Sequence, residues 1–263
     1  MSGSKNTDLP VRLVSAVVLG VAVLTLTWYG GLPFRIMAGL AALLIFNEWR
    51  TITSVGDNNA MMMAGWGAVG VGAVAIVAGA LSVALGALLV FSAVLGVWAV
   101  VNKSGIWIAG GVAYALLPTI SLSHIRMESA GLALVLLLFV IVWSTDIGAY
   151  FAGRSIGGPK LMPAVSPKKT WSGFFGGVSA AVVGALVLPM LINQPRIAIP
   201  VVLMVLLSVL SQLGDLFESW IKRRFGVKDS GHLIPGHGGI MDRTDGLIVA
   251  AVAFSMLLYF GLV

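Results

Sequence analysis

An all-α, polytopic membrane bundle is the fold class this sequence predicts, and three observations carry it. Of the 263 residues, 59% are hydrophobic and only 10% charged, with a mean hydropathy of +1.02; a soluble domain of this length needs a far more polar surface. Apolar runs of about 20 residues, the length that crosses a bilayer, can be traced nine times. The basic residues between those runs are strongly asymmetric, as the positive-inside rule expects of a multi-pass chain. The formal charge of +6 is therefore no sign of nucleic acid, and the absence of cysteine excludes disulfides, thiolate metal sites and thiol catalysis.

In chain order the nine spans are read at 11–28, 31–49, 60–79, 81–101, 105–121, 130–151, 172–193, 197–221 and 244–263. The first follows Lys5 and Arg12 as a signal peptide would, but it lacks a small-residue cleavage site and is read as an uncleaved span. With the N-terminus in the cytoplasm, thirteen of the sixteen Lys and Arg residues lie on the cytoplasmic side; Arg35, Arg126 and Arg196 lie on the other. The topology expected is N-in, C-out, with both long polar loops facing the cytoplasm. Ala64, Ala68 and Gly72 repeat every four residues, as do Gly173, Gly177, Ala181 and Ala185. Such spacing lets helix backbones approach, either inside the bundle or across a dimer contact. Connections are short, so 1–263 reads as a single integral membrane domain, with N-terminal helices over 1–129 and the chemistry in the helices and cytoplasmic loops of 130–263.

The densest chemistry runs from Ser208 to Gly246. On a helical wheel of about 100° per residue, Ser208, Ser211, Gln212, Asp215, Ser219 and Lys222 fall within about 60° of one line. At about 1.5 Å per residue they make a polar stripe about 21 Å long, a polar wall descending from one membrane surface; Glu218 lies off its edge. Asp242 and Asp245, three apart, share one side of the next helix's first turn. Acids from two helices can thus converge on one cation. Carboxylates without thiols or paired histidines suit a hard ion such as Mg²⁺, shared with substrate phosphates.

Asp146 sits near the end of span six, with Tyr150 and Arg154 following on the same face; it reads either as a site residue or as half of a structural pair. The next loop carries Pro159, Pro163 and Pro167 and cannot be a regular helix. Ser166, Lys168, Lys169 and Thr170 then precede span seven, where ammonium groups and a helix start favour phosphate, or anchor the chain to lipid headgroups. Lys222, Arg223, Arg224 and Lys228 allow the same two readings. His237, between Gly236 and Gly238, can donate to phosphate or brace its loop. Neither a P-loop nor a dinucleotide fingerprint is present, so any phosphate site must be built from metal and cations on membrane helices.

SWIKRRFGVKDSGHLIPGHGGIMDRTD, from Ser219 to Asp245, resembles the signature of the phosphatidate cytidylyltransferase (CDP-diacylglycerol synthase) family along its whole length. DIGAYFAGR, SPKKTW and GDLFES resemble further blocks of that family. One departure stands out: after SPKKTW, where many members have Glu-Gly, this chain has Ser172-Gly173. The resemblance implies that CTP and phosphatidate, the latter drawn from the cytoplasmic leaflet, yield CDP-diacylglycerol and pyrophosphate for phospholipid synthesis. It implies a nucleotidyltransferase of the bacterial-type inner membrane, multi-pass and facing the cytoplasm, and a homodimer. It places Asp215, Asp242 and Asp245 on Mg²⁺, alone or paired with a second, monovalent cation, with Asp146 and Lys169 completing the catalytic set. Ser166, Lys168, Lys169, Thr170, Ser219, Lys222, Arg223, Lys228, His237 and Arg243 are left for the phosphates of CTP or phosphatidate. A CTP-dependent polyprenol or phytol kinase, and a cation- or phosphate-coupled transporter, are the competing readings.

Overall fold

The computed structural model describes residues 8–53, 59–102, 106–194, 197–234 and 238–263. Among them are nine helices: α1 Asp8–Tyr29, α2 Gly31–Thr53, α3 Asn59–Ala78, α4 Leu81–Val101, α5 Trp107–Met127, α6 Gly131–Ser155, α7 Trp171–Leu191, α8 Val201–Arg224 and α9 Met241–Tyr259. Seven of them, α2 to α8, are long and apolar enough to cross a membrane. The apolar part described in α1 is shorter, Leu13–Tyr29, and α9 begins with Asp242, Arg243 and Asp245, three charges that dilute an otherwise apolar helix. The chain is an all-α polytopic membrane protein. The proline-bearing loop is no helix, as expected, and forms a hairpin: β1 Lys160–Met162 and β2 Ser166–Thr170 pair antiparallel, Lys160 opposite Thr170 and Met162 opposite Ser166.

The helices fall into two compact units. The first comprises residues 1–123 and 225–244. Its core is aromatic on α2. Trp49 donates its indole N–H to the Trp107 carbonyl at 2.7 Å, its ring lies 4.8 Å from that of Tyr114, and Phe46 meets Trp66 edge-on at 5.1 Å. Small residues on α3 make room for this. A side chain at Gly65 would strike Phe46 and Ile108, and one at Gly72 would strike Leu116. The packed face of α3 thus runs through Met61, Gly65, Ala68 and Gly72, while Ala64, which the four-residue spacing puts in the same stripe, is exposed. Phe225, just past α8, returns to this core against Trp107, ring to ring at 5.1 Å.

The second unit comprises residues 124–224 and 245–263, and α6 packed on α7 is its backbone. Gly173, Gly177, Ala181 and Ala185 are all buried. A Cβ at Gly173 would press on the Ala149 carbonyl and one at Gly177 on the Thr145 carbonyl. This stripe therefore serves close packing inside the unit, where backbone–backbone approach maximises dispersion contact in a setting without a hydrophobic driving force. The start of α7 is fixed by Thr170, whose hydroxyl accepts from the Gly173 N–H at 3.1 Å as an N-cap. Ser172 donates to the Gly157 carbonyl and lies 3.0 Å from the Thr170 hydroxyl, so it braces the turn between α6 and the hairpin.

Candidate active site

In the second unit the polar stripe of α8 divides into two halves with different work. Ser208, Ser211 and Gln212 are buried. Ser208 bonds the Thr145 hydroxyl of α6 at 2.8 Å, and Gln212 donates to the Phe174 carbonyl of α7 at 3.4 Å. In this half Ser208 and Gln212 link α8 to its neighbouring helices, as polar groups at helix contacts in membranes do. From Asp215 onward the stripe opens. Lys169, at the end of β2, forms an ion pair with Asp215, and Ser219 donates to Asp215 Oδ1 at 3.3 Å. The N-capped turn at Thr170 delivers that lysine. The hairpin thus positions the ammonium, and the capped α7 holds the hairpin.

Asp245, on α9, has Asp215, Glu218 and Asp146 as its charged neighbours. The charges of these three carboxylates are felt at Asp245, where α8 and α9 come close. Gly214 and Gly246 make this possible: a Cβ on Gly214 would meet the Asp245 carbonyl, and one on Gly246 the Ser211 hydroxyl, so α8 and α9 touch through glycine. Glu218, which the wheel sets off the stripe, is fully buried and accepts from Lys222 at 2.9 Å. The phosphate-directed Lys222 is therefore engaged with a carboxylate. Arg154 donates to the Tyr150 hydroxyl at 2.7 Å and lies over its ring, so two of the three residues that follow one face from Asp146 bind each other.

The donor set suits a hard cation. It is all oxygen, it carries more negative charge than Lys169 and Lys222 offset, and the Ser211 hydroxyl beside Gly246 is buried without a hydrogen-bond partner among the described residues. Among the described residues, no three His, Asp or Glu side chains stand in a ready-made ligand cage.

Asp242 belongs to the first unit and has its own surroundings. Its Oδ2 accepts from Ser230 N at 2.8 Å and Gly239 N at 2.9 Å and lies 2.9 Å from Ser230 Oγ. Gly238, at φ +85°, takes a conformation that side chains rarely adopt, and a Cβ there would meet Asp242 Oδ2. The residue that sequence reasoning missed is Glu48 on α2. It is 5% exposed, and it accepts from Ser230 Oγ, Ile240 N and Met241 N, each at 2.8 Å. Its signal was present: a lone carboxylate inside an apolar span has to find donors.

Of the other residues, Ser166 opens β2, Lys168 is exposed on it, and Arg223, Lys228 and Arg243 are exposed. Arg224 lies over the Trp220 ring, 5.8 Å from its centroid. His237 and Lys103 lie outside the described residues.

Carboxylates paired with lysines at the ends of apolar helices mark this as a membrane protein with a charged site rather than a purely apolar bundle. The comparisons give that class its family. The chain matches the cytidylyltransferase family over residues 10–260. It is 43% identical over 255 residues to the phosphatidate cytidylyltransferase of Brucella suis, an alignment covering 97% of this chain and 93% of that protein. The phosphatidate cytidylyltransferase of Staphylococcus epidermidis is 46% identical over 132 residues, half of each chain. That of Bacillus subtilis is 47% identical over 124 residues, covering 47% of this chain and 46% of that one. This chain belongs to the cytidylyltransferase family.

Proposed function

We infer that this protein transfers the cytidylyl group of CTP to phosphatidate, giving CDP-diacylglycerol and pyrophosphate for phospholipid synthesis. One observation carries the reading: a family match along residues 10–260, joined to 43% identity with a relative covered over 93% of its length. The chemistry of the residues agrees with it. A phosphatidate oxygen attacks the α-phosphorus of CTP, a new P–O bond forms, and the bond to the pyrophosphate oxygen breaks. The nucleophile is already an anion, so no strong base is required; the obstacle is bringing two polyanions together.

In this reading Lys168 and Lys169 on the hairpin, with Arg223, Lys228 and Arg243, neutralise the phosphates. Lys222, held by Glu218, adds its charge to the same helix end. Lys169 exchanges its hold on Asp215 for phosphate oxygen as substrate arrives. Ser166, Thr170, Ser219 and His237 supply hydroxyl and imidazole contacts around them. Mg²⁺ would be held by Asp215 and Asp245, with Asp242, three residues before Asp245 in sequence, and Asp146 as the further carboxylates assigned to it. When bound, Mg²⁺ with or without a monovalent partner supplies charge neutralisation on the triphosphate and on the departing pyrophosphate. Nine spans run N-in and C-out in the inner membrane, and the hairpin and the 225–240 loop face the cytoplasm, where CTP is. The enzyme works as a homodimer.

The test is product analysis with CTP labelled at its α- or its γ-phosphorus, using phosphatidate vesicles with and without EDTA. Label from the α-position enters lipid, EDTA abolishes the incorporation and excess Mg²⁺ restores it. Label entering lipid from the γ-position makes the protein a lipid kinase and overturns the reading.

A further inference from the structure

A buried carboxylate is costly unless hydrogen bonds compensate it. In the first unit Glu48 finds its compensation almost two hundred residues away in sequence. Two of its three donors, Ile240 N and Met241 N, open α9, where a helix leaves N–H groups without intrahelical acceptors and presents the positive end of its dipole. Glu48 is thus the cap of α9, supplied by α2 instead of by the residue before the helix. Its third donor is Ser230 Oγ, which lies 2.8 Å from Glu48 Oε2 and 2.9 Å from Asp242 Oδ2. That hydroxyl has a single proton and serves one carboxylate at a time.

The same few atoms bind Asp242. The Ser230 and Gly239 amides both donate to its Oδ2, and both are adjacent to atoms that Glu48 holds. Gly239 has no room for a side chain, because a Cβ there would strike Ser230 Oγ and Glu48 Oε2; at Gly231 a Cβ would press on Glu48 Oε1. Gly231, Gly238 and Gly239 are therefore explained by two carboxylates seated against the backbone. Glu48 thus holds the same Ser230 and the same loop backbone that seat Asp242.

We propose that Glu48 is a positioning residue: by capping α9 and fixing Ser230 and the Gly239–Met241 backbone, it sets the carboxylate of Asp242 for the metal. The proposal rests on the assignment of Asp242 to Mg²⁺ made above. Hydrogen-bonded supports of this kind orient ligands, and losing one costs about 10- to 100-fold in metal affinity or activity. A merely structural Glu48 would affect folding and leave metal affinity alone.

The experiment uses the full-length protein in detergent, with Mn²⁺ binding followed by electron paramagnetic resonance without nucleotide, beside steady-state turnover. Glu48→Gln turns one backbone-facing oxygen into a donor among donors. It weakens Mn²⁺ binding about 10- to 100-fold and lowers kcat to match, while KM for phosphatidate stays within about 2-fold. Trp49→Phe, which removes the bond to the Trp107 carbonyl in the same core, lowers the unfolding temperature and leaves Mn²⁺ affinity unchanged. Wild-type Mn²⁺ affinity in Glu48→Gln, or an equal loss in Trp49→Phe, overturns the proposal. Where Glu48→Gln yields no folded protein, Ser230→Ala decides: it weakens Mn²⁺ about 10-fold, and unchanged affinity overturns the proposal. Wild-type protein that transfers cytidylyl groups yet binds no Mn²⁺ overturns the metal assignment, and the proposal with it.

Discussion

Two lysine–carboxylate pairs of the second unit differ in what breaking them does. Lys222 donates to Glu218 at 2.9 Å within one turn of α8; the glutamate side chain is 0% exposed and the lysine 12%. Lys169 pairs with Asp215 across the hairpin, with 25% and 32% of the side chains exposed. Removing one partner of a buried pair costs about 3–5 kcal/mol, because the other charge stays desolvated. An exposed or half-exposed pair is worth about 1 kcal/mol or less. At about 2–4 °C per kcal/mol for a chain of this size, Lys222→Met lowers the unfolding midpoint by about 10 °C. Lys169→Met lowers it by about 3 °C or less.

The double variant Glu218→Gln, Lys222→Met recovers most of the loss, since replacing both charges removes the burden instead of orphaning it. Turnover reverses the order of the two single variants relative to their stability. Lys169→Met, although folded, loses about 100-fold in kcat, the scale of one electrostatic stabiliser of the transition state. The assay is thermal unfolding in one detergent followed by turnover well below each midpoint. Equal midpoint shifts for the two lysine variants would refute the reasoning, as would a double variant no more stable than Lys222→Met.

Asp215→Asn is isosteric and leaves Ser219 a partner, so the protein remains folded while cytidylyl transfer falls by about 10³-fold or more; retention of a tenth of wild-type turnover would remove Asp215 from the metal site. Thr170→Val keeps shape and deletes the cap accepted by Gly173 N, lowering stability by about 1 kcal/mol. Because that cap also seats Lys169, KM for CTP rises in the same variant, which steady-state kinetics will read. Gly177→Leu drives a side chain into the Thr145 carbonyl and separates α6 from α7. The expected outcome is loss of monodisperse protein in size-exclusion chromatography, while the same change at Gly70, where a Cβ meets nothing within 4 Å, is tolerated.

Helices were legible in the sequence because length and hydropathy alone determine them; the nine apolar runs coincide with α1 to α9 to within a few residues. The hairpin was not. Three prolines rule out a helix over 159–167, but strand pairing of Lys160 with Thr170 depends on a register that no periodicity announces over so few residues. The small-residue stripes were half legible. On α7 the spacing coincides with the packed face, whereas on α3 Gly65 takes the place expected of Ala64, since a four-residue step drifts around a helix of 3.6 residues per turn. The polar stripe of α8 was found from the wheel, yet the wheel could not say that Ser208 and Gln212 bond α6 and α7 instead of water.

Burial is what separates the carboxylates of this chain, and it is invisible to spacing. Glu48 and Glu218 are 5% and 0% exposed, and each has its donors within the fold: Ser230, Ile240 and Met241 for the first, Lys222 for the second. A carboxylate so enclosed cannot approach a polyanion bound from the aqueous side, and its charge acts on structure. Asp215 keeps about a third of its side chain open, and its ion pair is with a lysine on a different element. Such a pair can be exchanged for cation and phosphate without unfolding anything, because its stability is of the order of 1 kcal/mol. Chemistry that gathers anions around a divalent ion requires that kind of loosely committed acid. The sequence offers all of these acids as equals; the fold divides them into those that fix the helices and those left available to a ligand.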